Sequence, residues 1–201
     1  MIMKTYEWVF FDFDGTLADS IDILYDVYVK FLKEFGIDGN KNEFEILDGP
    51  SLNEIILILK NKYNLSKSVS ELLRIYERKL ELAYENSIIL IPERYELLCF
   101  LKNNDYNLAL VTSLSQKIVL SFLSKNNLKH FFNMIICGDD VKNSKPNPEI
   151  YNLCFSKTKS NKNKILVLED SKNGYESAIA AGLHCEIIKN KTEKEISSLF
   201  V

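Results

Sequence analysis

Two carboxylates directly follow a short apolar run near the start of the chain. The run Trp8–Phe11 leads into Asp12, and Asp14 comes two residues later, followed by Gly15 and Thr16. In an extended chain, residues two apart project to the same side. Neighbouring carboxylates repel each other unless a cation or a shared proton lies between them. The segment therefore predicts a metal site at which one carboxylate is also available as a nucleophile.

The apolar run is typical of a buried strand in a parallel sheet. Such a strand delivers the residues that follow it to the carboxyl edge of the sheet, where ligands bind in open α/β folds. We therefore expect other functional side chains directly after the other predicted strands.

Hydroxyl and lysine side chains meet this expectation. Thr112 and Ser113 follow the apolar run at 107–111. Their hydroxyls, together with backbone N–H groups at the start of the next helix, would form a phosphate cradle. Lys145 follows the strand predicted at 134–137, on a loop that is restrained by a proline.

A second acid pair follows another predicted strand. Glu169 and Asp170 come directly after the strand predicted at 164–168. Carboxylate oxygens there would complete a site for a hard cation. Simpler interpretations exist for single clusters, such as helix caps, a solvated lysine or acids that favour a helix start. The ordered occurrence of all four clusters after predicted strands favours the functional interpretation.

Two patterns alternate along the chain. Residues 19–88 show apolar positions at helical spacing throughout, and from residue 91 onward strand and helix patterns take turns. Alternation of this kind predicts an α/β fold, a Rossmann-like parallel sheet with helices on both faces. Strands are predicted at 107–111, 134–137, 164–168 and 185–188, and helices at 93–103, 116–126, 148–157 and 173–181.

The helical stretch interrupts the α/β pattern directly after the first acid pair. We predict a small all-helical cap domain at 19–88, inserted after the first strand. The α/β core domain would then consist of 1–18 and 89–201.

The composition limits the kinds of binding partner and the cellular location that we expect for this protein. The 201 residues are 46% hydrophobic and 26% charged, with a net charge of −3 and no basic block, so nucleic acid is not an expected partner. No apolar stretch approaches the roughly 18 residues of a membrane span. Four separated cysteines without a metal-binding spacing fit a reducing, cytoplasmic location. A monomer or weak dimer is expected.

Four segments resemble, in order, the motifs of the haloacid dehalogenase superfamily, whose members are mostly magnesium-dependent phosphatases. They are DFDGT at 12–16, VTS at 111–113, KPNP at 145–148 and LEDS at 168–171. The run LEDSKNGYESAIAAGL is similar to subfamily IA, which includes phosphoglycolate phosphatases and β-phosphoglucomutases. In that subfamily a helical cap lies between the first and second motifs, where this chain has its helical stretch.

The resemblance implies a reaction and a metal. Asp12 would attack the phosphorus of a small-molecule phosphate ester and form an aspartyl-phosphate, and Asp14 would serve as acid and base. A Mg²⁺ ion would be held by Asp12, the backbone carbonyl of Asp14 and Asp170, with Glu169 in support.

The resemblance also implies a set of residues around the phosphate. Gly15, Thr112, Ser113 and Lys145 would bind it, and Thr112 and Lys145 would hold the oxygens during transfer. Lys145 would in addition offset the charge of Asp12.

Other functions within the resemblance stay open. Sugar mutases carry a cap histidine where this chain has Leu24, and a dehalogenase would not need Asp14. Phosphonate-cleaving relatives need a cap lysine, for which Lys30 and Lys33 are available. A non-catalytic binding protein with this fold would be expected to have lost the nucleophile or a metal ligand.

Overall fold

The computed structural model describes residues 5–47, 50–189 and 191–200, and its elements follow the alternation expected from the sequence. The strands are β1 (Trp8–Phe11), β2 (Ala18–Asp19), β3 (Ile89–Leu90), β4 (Asn107–Val111), β5 (Met134–Ile136), β6 (Ile165–Glu169) and β7 (His184–Ile187). The helices are α1 (Ile21–Lys33), α2 (Lys41–Ile46), α3 (Leu52–Tyr63), α4 (Val69–Asn86), α5 (Pro92–Asn103), α6 (Gln116–Lys125), α7 (Glu149–Ser156), α8 (Lys172–Ala180) and α9 (Glu193–Ser197).

The main sheet is parallel and has the order β5-β4-β1-β6-β7. Strand β1 lies at its centre, and Phe11 at the end of β1 pairs with Leu110 of β4 and Leu168 of β6. The residues that follow these three strands therefore emerge side by side at one edge. The predicted α/β fold with a parallel sheet is confirmed.

Both faces of the sheet are buried, which explains the continuous apolar runs. Val9 and Phe11 face the layer that contains α5 and α6, whereas Phe10 faces the layer that contains α7 and α8. All three side chains are fully buried. Because successive strand residues point to opposite faces, a strand that is covered on both sides has no position for a polar side chain.

The helices between β2 and β3 begin where the sequence places capping residues. Ser51 and Ser68 each accept a hydrogen bond from the backbone three residues later and form capping boxes with Glu54 and Glu71. Gly36, with a φ of +72°, follows the end of α1. Within the described residues, no helix has the length and apolarity required to cross a lipid bilayer.

Several short features differ from the sequence prediction. Strand β6 includes Glu169, which the sequence places directly after the strand. Helix α2 has six residues, too few for a helical period to show. Strands β2 and β3 form a two-residue antiparallel ladder where the chain leaves the sheet and returns to it. Helix α7 begins at Glu149 and not at Pro148, which occupies the cap position.

A buried carboxylate joins the first three helices. Glu43 of α2 is 6% exposed and accepts hydrogen bonds from the hydroxyls of Tyr28 and Tyr63, the latter at 2.6 Å. The ammonium of Lys62 lies 2.8 Å from its other oxygen. Burial alone would raise the pKa of Glu43, but these three donors outweigh burial and lower it.

We expect Glu43→Gln to lower the free energy of unfolding by about 1–2 kcal/mol at pH 7, since charge-assisted hydrogen bonds become neutral ones. The pKa of Glu43 is lowered in the folded state. Its contribution is therefore present above the unfolded pKa of about 4.3 and is lost as the pH falls through the folded pKa. Urea unfolding at pH 7 and pH 3 measures this difference.

Glu45 provides the matched control, because it lies exposed on the same helix. Glu45→Gln should change the free energy of unfolding by no more than about 0.5 kcal/mol at either pH. Equal effects of the two substitutions would contradict the role of Glu43.

Candidate active site

A cavity of about 1000 Å³ opens between the carboxyl edge of the sheet and the helices α1 to α4. Most of the predicted site residues line it, although they come from loops that are distant in the chain. Those that line the cavity are Asp12, Asp14, Thr112, Ser113, Lys145 and Asp170. Gly15 and Glu169 adjoin this set through contacts with Asp170 and Lys145.

Lys145 lies between two buried carboxylates. Its ammonium is 2.6 Å from Oδ1 of Asp12 and 2.6 Å from Oε1 of Glu169, and the residue is 4% exposed. Burial would lower the pKa of Lys145, but the two negative charges outweigh burial and raise it. The lysine therefore stays protonated and holds both carboxylates in place.

Negative charge exceeds positive charge in this cluster. Carboxylate oxygens of Asp12, Glu169 and Asp170 lie within 4.8 Å of one another, and all three residues are buried. Burial and the charge of Glu169 raise the pKa of Asp12 well above its usual range, although Lys145 opposes this. Buried oxygen donors with a net negative charge form a site that fits a hard divalent cation.

The carboxylate of Asp14 does not belong to this cluster. Strand β1 ends at Phe11, and Asp12 and Asp14 lie in the segment that follows it. Instead, Oδ1 of Asp14 accepts a hydrogen bond of 2.5 Å from the hydroxyl of Tyr84. Tyr84 thus holds one oxygen of Asp14, whereas Lys145 holds one oxygen of Asp12.

Gly15 makes room for the second acid pair. Its φ is +69°, and a Cβ atom at this position would lie 2.2 Å from Oδ2 of Asp170. The backbone N–H of Gly15 donates to the carbonyl of Ala18 at 2.9 Å and closes a tight turn. Glycine is needed here both for the backbone conformation and for the approach of the carboxylate.

The loop after β4 contains the hydroxyl groups of the predicted phosphate cradle. Thr112 is 2% exposed, and its hydroxyl oxygen accepts a hydrogen bond of 3.1 Å from the N–H of Leu114. At the start of α6, however, the N–H of Gln116 donates to the carboxylate of Asp139 at 2.6 Å. The carboxylate of Asp139 therefore takes up one of the N–H groups at this helix start, and the phosphate cradle stays a prediction.

Two tyrosines at the site were not identified from the sequence. The hydroxyl of Tyr151 donates to Oε1 of Glu169 at 2.6 Å, and its ring lies 5.1 Å from the ammonium of Lys145. Tyr84 donates to Asp14, as described above. Both belong to apolar stripes of helices, and no local pattern distinguishes them from core tyrosines.

The fold and the acid cluster define a class of hydrolase, and comparison with known families agrees. Residues 9–188 match the model of the haloacid dehalogenase-like hydrolases. The chain belongs to this family.

Individual relatives place the chain among phosphatases. A phosphorylated carbohydrates phosphatase of Thermotoga maritima is 33% identical, over 88% of this chain and 82% of that protein. A phosphoglycolate phosphatase of Vibrio cholerae is 30% identical, over 90% of this chain and 84% of that protein. The structure of CbbY from Rhodobacter sphaeroides in complex with phosphate is 27% identical, with a TM-score of 0.75 over 90% of this chain and 84% of that one.

We expect Gly15→Ala to abolish binding of a divalent cation, because the new Cβ would displace the carboxylate of Asp170. Calorimetric titration of the purified protein with MgCl₂ measures the effect. We expect the titration heat of the unsubstituted protein to be lost in the variant.

Gly36→Ala is the matched control, since Gly36 has a similar φ of +72° and its Cβ would meet no atom within 4 Å. Gly36→Ala should lower the free energy of unfolding by about 1–2 kcal/mol through backbone strain, and Gly15→Ala should lower it by at least this much because of the added clash. Only Gly15→Ala should change cation binding, and unchanged binding in that variant would contradict the proposed fit.

Proposed function

We propose that the protein hydrolyses phosphate monoesters of small molecules in a Mg²⁺-dependent reaction that passes through an aspartyl-phosphate on Asp12. The observation that carries this proposal is the buried cluster of Asp12, Lys145, Glu169 and Asp170, three of which line the cavity. The names of the phosphatase relatives support it.

Asp12 is the proposed nucleophile. One of its oxygens contacts Lys145, which holds the carboxylate at the end of the central strand. A carboxylate oxygen would form a bond to phosphorus while the ester P–O bond breaks and the leaving alcohol takes its electron pair. Water would then cleave the acyl phosphate and regenerate Asp12.

Asp14 is the proposed acid and base. It lines the same cavity, on the side that the helices cover. In the first step it would donate a proton to the leaving oxygen, and in the second it would accept a proton from the attacking water.

Asp12, Asp170 and the backbone carbonyl of Asp14 are proposed to hold Mg²⁺. When bound, the cation would offset the negative charges of phosphate and nucleophile, which otherwise repel each other. Glu169 accepts hydrogen bonds from Lys145 and Tyr151, so we assign it a supporting position behind these ligands.

Four residues are proposed to bind the phosphate group. Thr112, Ser113 and Lys145 line the cavity, and Gly15 shapes the adjoining turn. Hydroxyl, ammonium and backbone N–H donors fixed in place would stabilise the charge that develops on the phosphoryl oxygens.

The helical region is proposed to act as a cap domain at 19–88, on a core of 1–18 and 89–201. The β2–β3 ladder lies where the chain passes between the two regions, and the cavity lies between them. Leu24, where related sugar mutases carry a histidine, lines the cavity and favours hydrolysis over phosphate transfer. The cytoplasmic location and a monomeric or weakly dimeric state remain predictions.

The first experiment is phosphate release from a panel of phosphorylated metabolites, with Mg²⁺ and with EDTA. Release that requires Mg²⁺ would support the proposal and would rank the substrates. Absence of release from every compound by the folded protein would contradict it and would favour a binding role.

Substitution of the two acids separates their roles. We expect Asp12→Asn to remove turnover altogether. Asp14→Asn should lower turnover by about 10²–10⁴-fold, the range of acid–base catalysis, and should still form phosphoenzyme from p-nitrophenyl phosphate. The measurement is turnover together with trapping of ³²P-labelled protein, and equal residual activity in both variants would contradict these assignments.

A further inference from the structure

Tyr84 lies on α4, away from the four loops that carry the proposed catalytic residues, yet its hydroxyl reaches Asp14. The hydroxyl donates to Oδ1 of Asp14 at 2.5 Å, and the residue is 3% exposed. Seventy residues of chain separate the two partners.

Aromatic packing fixes the position of this hydroxyl. The ring of Tyr84 lies 6.0 Å from the ring of Phe13 and 6.4 Å from that of Phe122, and the rings of Phe13 and Phe122 are 5.1 Å apart. Phe13 and Phe122 are almost completely buried. The three rings come from α4, from the loop after β1 and from α6, so the tyrosine cannot change its rotamer without displacing the core.

The phenol keeps its proton. Burial, followed by the charge of Asp14, raises the pKa of Tyr84 well above its usual value. The hydroxyl is therefore a permanent donor toward the carboxylate.

We propose that Tyr84 is a positioning residue for the reaction, which holds one oxygen of Asp14 so that the carboxylate is presented to the leaving group and then to water. This inference rests on the proposed function. Because Tyr84 belongs to a helix of the proposed cap, the placement of the acid and base depends on how α4 packs against α6 and the loop after β1.

Tyr84→Phe removes only the hydroxyl and keeps the ring. In the first step p-nitrophenolate leaves without proton transfer, so the variant should form phosphoenzyme from p-nitrophenyl phosphate at the original rate. In the second step Asp14 must accept a proton from water, and a displaced carboxylate should slow this step by about 10-fold to 100-fold.

The experiment is steady-state and rapid-mixing kinetics of the full chain with Mg²⁺. With p-nitrophenyl phosphate we expect kcat and KM to fall together, kcat/KM to change by less than about 3-fold, and a burst of p-nitrophenolate to appear. With the best unactivated ester of the metabolite panel, kcat/KM should also fall by about 10-fold or more. A merely structural role would lower kcat/KM for both substrates alike.

Tyr106→Phe is the matched control, since this buried tyrosine precedes β4 and donates to the carbonyl of Phe200, away from the site. It should leave all kinetic constants unchanged, and thermal unfolding should show that both variants are folded. Original kinetics in Tyr84→Phe, or an equal loss of kcat/KM for both substrates, would overturn the role of Tyr84 alone. Absence of phosphate release by the unsubstituted protein would overturn the proposed function and this inference with it.

Discussion

The site depends on one buried ammonium that is shared by two carboxylates. Like charges 4 Å apart repel by about 4 kcal/mol at an effective dielectric constant of 20, so Asp12 and Glu169 could not remain close and ionised without a cation. Lys145 supplies that charge and is itself tolerated in the interior only because both acids surround it. Asp170 leaves the cluster with an excess of negative charge, and a site of this kind fits a divalent cation.

The central position of β1 brings these charges together. The parallel register continues past the end of β1, where the N–H of Asp12 donates to the carbonyl of Leu168 at 3.0 Å. Asp12 and the second acid pair are therefore neighbours because β1 and β6 are hydrogen-bonded to each other. Lys145, on a loop after β5, donates a hydrogen bond to Glu169. The hydroxyl of Tyr151 on α7 donates to the same carboxylate. The sheet thus fixes the backbone positions of Asp12 and Glu169, and the hydrogen bonds from Lys145 and Tyr151 fix the orientations of their carboxylates.

Phe13, the residue between Asp12 and Asp14, connects this segment to two helices. Phe13 is fully buried against Tyr84 and Phe122, and this contact joins the first loop to α4 and α6. Lys145 contacts Asp12, whereas Tyr84 of α4 contacts Asp14. This division matches the different tasks proposed for the two carboxylates.

Much of this arrangement is determined by the sequence alone. Continuous apolar runs specify strands that are buried on both faces, and the acids, hydroxyls and lysine that follow them are placed at one edge by the rules of parallel sheets. The short helix α2 and the β2–β3 ladder could not be predicted, since they have too few residues to show a period. The hydrogen-bond partners of Asp14, Glu169 and Gln116 are decided by the tertiary structure. A hydrogen bond forms only when two atoms are placed to within a few tenths of an ångström, and these partners are far apart in the chain. The local sequence shows which positions of a helix or strand are buried. It does not show which distant residues meet, and only the packing of α4 brings Tyr84 to Asp14.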